Sequence, residues 1–316
     1  MKFSVDPRIE LLYGLQYAYS ASKKNIKPWL ITFQNEYTTN LIKTFKIKEF
    51  KELSNWLEKE YLGFYDSTSS LALLLDNNYQ IKNQEFDHNI KTRTGISDNK
   101  DGIEFNKLIS KFTNEVNYNM FFESNNKMYQ KTLKDVVKLP SNFNVQDIEE
   151  FYGYKKGSYN IILSPLIAGA FGISNNDDLY CIKGMYLKEN EYYSQETFIF
   201  NLFHEFSHPY VNPLYDKYKN KFKVTNKFLE EAKVNGLESS YKGIATLINE
   251  YVVRANEYIL AKKYINLDYY IENNKKRGYT YIDLLINLIK ERKNNYVNYE
   301  EFYLKEVIPF FNRLRR

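Results

Sequence analysis

The chain of 316 residues has a single cysteine, Cys181, and only 3 histidines. One cysteine excludes an intramolecular disulfide and any zinc site built from several thiolates. In the apolar stretch Tyr180-Cys181-Ile182 it reads as a small buried hydrophobe. Long apolar runs are missing as well: no stretch reaches the roughly 18–20 residues a membrane-spanning helix requires, so no membrane span is expected. The opening Met1-Lys2-Phe3-Ser4-Val5-Asp6-Pro7 lacks the apolar core of a signal peptide, which reads as cytoplasmic, or as secreted if a leader was removed. A large excess of one charge sign is also absent, since 44 Lys and Arg stand against 39 Asp and Glu, a net +5. The basic clusters are short (Lys23-Lys24, Lys275-Lys276-Arg277, and Arg313, Arg315 and Arg316). A nucleic-acid binder carries a dense basic stripe, so these read as solvated surface and no nucleic-acid partner is expected.

What is present is enough for a folded core: 43% of residues are hydrophobic, with 30 Tyr and 22 Phe. Asp6-Pro7 marks a helix start, Asp6 as N-cap and Pro7 as first helical residue, and predicts an amphipathic helix over 7–22. Spaced apolar residues predict helices over 46–62 and 104–137, and the polar stretch 84–103, with Gly95 and Gly102, reads as a loop. After Pro140 the pattern changes. Residues 159–164 and 179–187 read as strands, separated by a glycine-bearing segment and the turn Asn175-Asn176-Asp177-Asp178. Helices follow at about 194–208, 222–236, 239–264, 279–293 and 298–314. The expected fold class is α+β, mostly helical, with a small mixed sheet before the helix at 194–208. The expected division is a helical region over 1–140 and a second region over 141–316, or one continuous domain, because no flexible linker marks the boundary.

The chemistry is concentrated in Asn201-Leu202-Phe203-His204-Glu205-Phe206-Ser207-His208, an H-E-x-x-H pattern. Residues four apart on an α-helix lie one turn above each other, so both imidazoles reach one metal ion. Glu205 lies about 100° round the helix, beside that ion, where it can take a proton from an attacking water. The helix is apolar over most of its surface, through Phe198, Ile199, Phe200, Leu202, Phe203 and Phe206, and leaves one polar stripe that needs partners. A metal supplies them; the plainer alternative is a pair of core histidines satisfied by ordinary hydrogen bonds. Pro209 directly follows His208, and proline disfavours helix in the residue before it. The helix is therefore expected to end at His208 and to exit sharply through Tyr210-Val211-Asn212-Pro213.

A zinc site needs a third protein ligand and leaves a fourth position for water. His88 lies in the polar segment and reads as surface. The carboxylates Glu230, Glu231, Glu238, Glu250 and Glu257 lie downstream. Glu250 is favoured, because Thr246, Glu250, Arg254 and Glu257 form one polar stripe on an otherwise apolar helix, and a buried carboxylate must be paired or metal-bound. The alternative is an exposed Glu250–Arg254 pair. Arg254 could orient Glu250, bind a substrate carboxylate or stabilise an oxyanion. Tyr210, Tyr251 and Tyr258 are further candidates for polarising a substrate carbonyl, without a basis for choosing among them.

This arrangement resembles the zincin metallopeptidases, and among them the gluzincins, whose third ligand is a Glu on a later helix. The residues that carry it are His204, Glu205, His208 and Glu250. The stretch Phe203 to Pro213 with Asn249-Glu250-Tyr251-Val252-Val253-Arg254-Ala255 is similar to an uncharacterised bacterial family with a peptidase-type domain, best over residues 155–265 and again at Val5 to Leu11. The resemblance implies Zn2+ held by His204, His208 and Glu250, catalysis by Glu205, and a peptide or protein substrate; Arg254 is the second catalytic candidate, from its place beside Glu250 on the polar stripe. It also implies a sheet whose edge strand, 159–164 or 179–187, pairs with the substrate. The competing expectation is an inactive binding protein on the same fold.

Overall fold

A computed structural model describes residues 1–58, 66–81, 94, 96, 99–136, 139–189, 191–238 and 243–314. Helices dominate, accompanied by a small mixed sheet and a two-stranded ribbon, so the fold is α+β. The chain divides into two compact units: Met1–Lys138 with Ser158–Gln195, and Leu139–Gly157 with Glu196–Arg316. No helix among the described residues is long and apolar enough to cross a membrane.

In the first unit the helix Pro7–Ser22 opens as its sequence predicts, with the Asp6 carboxylate accepting the backbone N–H of Arg8 at 2.8 Å. It is not amphipathic, however. Ile9, Leu12, Tyr13, Leu15 and Tyr17 are all buried, because helices Glu36–Phe45 and Ser67–Leu74 pack around it. Gly14 permits this approach, since a Cβ there would stand 2.8 Å from the Phe45 ring. The expected helix over 104–137 is three helices, Asn99–Glu115, Tyr118–Ser124 and Asn126–Val136. Asn117 interrupts the run at φ +50°, a left-handed conformation that Asn tolerates better than most residues. Over 46–62 the structure shows a 3₁₀ turn Ile47–Glu49 and the helix Lys51–Glu58. The last four residues of that expected helix, His88 and most of the expected loop 84–103 lie outside the described residues.

The sheet has four strands, β1 Lys2–Ser4, β2 Ser158–Ser164, β3 Ala170–Asn175 and β4 Asp178–Gly184, in the order β1-β2-β4-β3. β1 and β4 flank β2 in parallel, and β3 returns antiparallel on β4 through the turn at Asn176. Both strands expected as substrate-pairing edges are therefore interior. The N-terminal strand covers the edge of β2, and the glycine-bearing segment, as β3, covers β4. Tyr186–Lys188 and Glu191–Tyr192 form the separate ribbon. Interior to the sheet, β2 and β4 are buried on both faces over Ile161–Ser164 and Cys181–Gly184.

The second unit is helical. The helix that carries the H-E-x-x-H pattern runs from Gln195 to Tyr218, straight through Pro209 and Pro213. It does not end at His208. Proline removes one ladder hydrogen bond, yet its φ near −65° is helical. The turn beyond it is held by burial: Tyr210 and Val211 are fully buried, and the Tyr210 ring stacks on Tyr152 with centroids 4.3 Å apart. Each such side chain contributes about 1.5–3 kcal/mol, enough to offset the lost hydrogen bonds. The helices Asn226–Val234, Ile244–Ala261, Tyr270–Lys276 and Ile282–Arg292 follow. The last helical stretch, 299–313, contains a π-turn at Tyr303–Val307. Its widening accommodates Pro309, which cannot donate to a regular ladder.

Candidate metal centre

Two helices of the second unit build the site: Gln195–Tyr218 supplies His204, Glu205 and His208, and Ile244–Ala261 supplies Glu250, Arg254 and Glu257. The four-residue spacing brings the two imidazoles together, with Nε2 of His204 3.2 Å from Nε2 of His208. The Glu250 carboxylate meets both, with Oε1 3.4 Å from His208 Nε2 and Oε2 3.7 Å from His204 Nε2. Zinc bonds of about 2.0–2.1 Å at tetrahedral angles separate ligand atoms by about 3.3–3.4 Å, so these pairwise separations are close to those such a site requires. His204, His208 and Glu250 form the one group among the described residues with donors close enough to share a metal ion.

The outer nitrogens fix which atoms face inward. His204 Nδ1 donates to Oε2 of Glu257 in a short hydrogen bond, and His208 Nδ1 lies 3.3 Å from Oδ1 of Asn212, one turn further along its own helix. A neutral imidazole with its proton on Nδ1 presents a bare lone pair at Nε2. Two imidazole Nε2 atoms and a carboxylate thus converge, and the buried Oε2 of Glu250 makes no hydrogen bond, although the Arg254 guanidinium stands beside it as an ion pair. Such a cluster favours a cation at its centre. In the metal-free cluster a proton takes the place of such a cation. Burial pushes the His204 imidazole down, but Glu257, Glu250 and Glu205 outweigh it and raise it to about 9. Burial pushes Glu250 up, while His204, His208 and Arg254 hold it below the usual carboxylate range.

Arg254 is not part of an exposed pair. Its guanidinium is buried, 3.2 Å from Oε2 of Glu250, stacked over the Tyr279 ring at 4.7 Å and 3.4 Å from Oδ1 of Asn274. Burial works against its charge, and the neighbouring Glu250, together with Tyr279 and Glu257, keeps it protonated. It therefore orients Glu250 from behind, leaving Oε1 toward His208. Glu257 is anchored in turn by the Tyr270 hydroxyl, 3.1 Å from Oε1, which also donates to the Arg254 carbonyl at 2.7 Å.

Glu205 is 8% exposed and carries no ion pair among the described residues. The remaining carboxylates lie elsewhere: Glu230 pairs with Lys233, Glu231 accepts from the Tyr281 hydroxyl, and Glu238 pairs with Arg277. Of the three tyrosines, Tyr210 is buried against Tyr152, the Tyr251 hydroxyl lies toward the Gly278 carbonyl at 3.4 Å, and Tyr258 packs on Tyr270 under Lys290. The structure places none of them against the three inward-facing donors. The partners that sequence reasoning did not assign are Glu257, Asn212, Tyr270 and Asn274. Glu257 had a signal, since it lies seven residues, two turns, beyond Glu250 on the same stripe.

The class defined by fold and site is an α+β protein whose helical unit gathers two His and a Glu from two helices. The chain belongs to the family described as a domain of unknown function (DUF4932), whose profile matches residues 1–309. No curated protein and no solved structure matches it.

Proposed function

We propose that this protein is a zinc-dependent hydrolase of the zincin type, a peptidase with a Glu as third ligand. The observation that carries the reading is the meeting of His204 Nε2 and His208 Nε2, 3.2 Å apart, with the Glu250 carboxylate, whose Oε1 lies 3.4 Å from His208 Nε2 and whose Oε2 lies 3.7 Å from His204 Nε2. Two imidazoles and one carboxylate form a donor set that zinc uses in catalytic sites, with one position left open.

A zinc ion held there supplies Lewis acidity, which polarises a carbonyl and makes water easier to deprotonate. Glu205 sits beside His204 on the same helix and is free of ion pairs among the described residues. Its carboxylate takes the proton of the attacking water and returns it to the leaving amine. Glu257 keeps the His204 proton on Nδ1, so that Nε2 remains a ligand. Arg254 neutralises part of the Glu250 charge and fixes its orientation.

One observation favours a second reading, a binding protein on the same fold without catalysis. Arg254 against Glu250 and Glu257 against His204 give two of the three donors protein partners that hold them without any metal. A peptidase assay on a mixture of denatured proteins, comparing wild type with Glu205→Gln, tests the choice. The hydrolase reading expects cleavage by the wild type and loss of about 100-fold or more in the variant. Zinc bound equally by both, with no cleavage by either, would favour the binding protein.

A further inference from the structure

In the first unit the turn 77–80, the C-terminal end of the helix Asn99–Glu115 and the start of the helix Tyr118–Ser124 form an open surface pocket of about 300 Å³. Six carboxamides line it: Asn77, Asn78, Gln80, Asn114, Asn117 and Asn119. Ser110 and Thr113 add hydroxyls. Asn is frequent throughout this chain, so carboxamides alone say little. The informative feature is that none of the described lining residues is charged, although 26% of the chain is.

The walls are fixed. Oδ1 of Asp76 accepts the backbone N–H groups of Asn78 and Gln80 at 2.8 and 3.0 Å and so holds the turn. The Tyr79 hydroxyl donates to Oδ1 of Asn119 at 2.6 Å, which sets the orientation of that amide and leaves its NH₂ as a donor. Gln80 Nε2 donates to Ser110 Oγ at 2.8 Å, leaving Gln80 Oε1 as an acceptor. Tyr79 and Asn117 both take left-handed backbone conformations, at φ +62° and +50°. For a residue as bulky as Tyr this is strain, of the kind that persists where the surroundings over-determine the backbone.

We propose that this pocket binds a neutral saccharide. Each sugar hydroxyl both donates and accepts, and a carboxamide offers the same pair of capacities at fixed spacing. An ionic ligand leaving water would need a counter-charge that the described lining residues do not supply. The volume lies at the small end of the roughly 300–1,000 Å³ typical of small-molecule sites, which suits one or two sugar rings rather than an extended peptide. The site is built from first-unit residues alone and stands whether or not the metal centre is catalytic.

The test is a nitrogen-15 NMR titration of the full chain with glucose, galactose, N-acetylglucosamine, maltose and lactose, and separately with glucose 6-phosphate and an acetylated, amidated dialanine. The side-chain NH₂ signals of the lining carboxamides report directly. The expected result is a saturable shift of those signals by at least one neutral sugar, weaker with the phosphate. The double variant Asn114→Asp/Asn119→Asp, at two exposed positions, should weaken binding at least about tenfold. Asn114→Lys is the second variant should the pair fail to fold. No saturable shift with any sugar of the panel overturns the proposal, as does equal or tighter binding of the dipeptide, or unchanged binding by the folded variants.

Discussion

Glu257 accepts the Nδ1 proton of His204 from a helix that also carries Glu250 two turns earlier, so one helix supplies both a donor to the cluster and the group that orients another donor. The pair makes a sharp prediction. Glu257→Gln keeps the volume but loses the charge that anchors the imidazole. Zinc affinity, measured by competition with a chromogenic chelator, should fall about 10–100-fold while the circular dichroism spectrum is unchanged. Affinity within twofold of wild type would mean that Glu257 does not tune the ligand.

Arg254 and Glu250 are a buried pair, each with a side chain 10% exposed. Removing one partner of such a pair leaves an uncompensated charge, so Arg254→Met should destabilise the metal-free protein by about 3–5 kcal/mol in urea unfolding. Saturating zinc should restore part of that loss, because the metal takes over the charge. A loss under about 1 kcal/mol in the metal-free protein would contradict the assignment.

Pro213 is exposed and interior to the helix, where it removes a ladder hydrogen bond without contributing burial. Pro213→Ala should raise the thermal midpoint, by an amount equivalent to about 1 kcal/mol or more. A lower midpoint would show that the proline itself shapes the helix beyond the site.

In the first unit Glu10 is 1% exposed, with the Tyr37 hydroxyl donating to Oε2 at 2.6 Å. Burial raises its carboxyl from 4.5 to about 7, against the lowering effect of hydroxyls from Ser164 and Tyr37. The folded value lies above the unfolded one. Its contribution to stability is therefore fully present below pH 4.5 and is lost as pH rises through 7. Over that window the loss is on the order of 3 kcal/mol. Glu10→Gln should flatten this part of the stability–pH curve and be the more stable protein at pH 8; an unchanged slope would refute the assignment.

Local rules carried part of this structure. The helix at Pro7 was legible because a capping Asp and a first-turn Pro act within a few residues. The approach of His204 to His208 was legible because it depends on helical pitch alone, and Glu250 stood out because its stripe is polar on a helix that is otherwise buried. Pro209 misled for the same local reason: the rule against proline in helices holds within one turn, and burial of Tyr210 and Val211 by residues distant in sequence outweighs it. The parallel pairing of Lys2–Ser4 with β2 joins segments more than 150 residues apart, and no local pattern encodes it. Glu257 was visible as a position but not as a partner, because which side chain reaches across two packed helices is a property of the packing.

The central claim is that His204, His208 and Glu250 hold a zinc ion. The direct measurement is elemental analysis after equilibrium dialysis against zinc, on wild type, His208→Ala and Glu250→Ala. The account predicts about one zinc per chain in the wild type and little or none in His208→Ala, with Glu250→Ala losing most of its metal to a mild chelator. A wild type that takes up no zinc, or a His208→Ala variant that retains it in full, would contradict it.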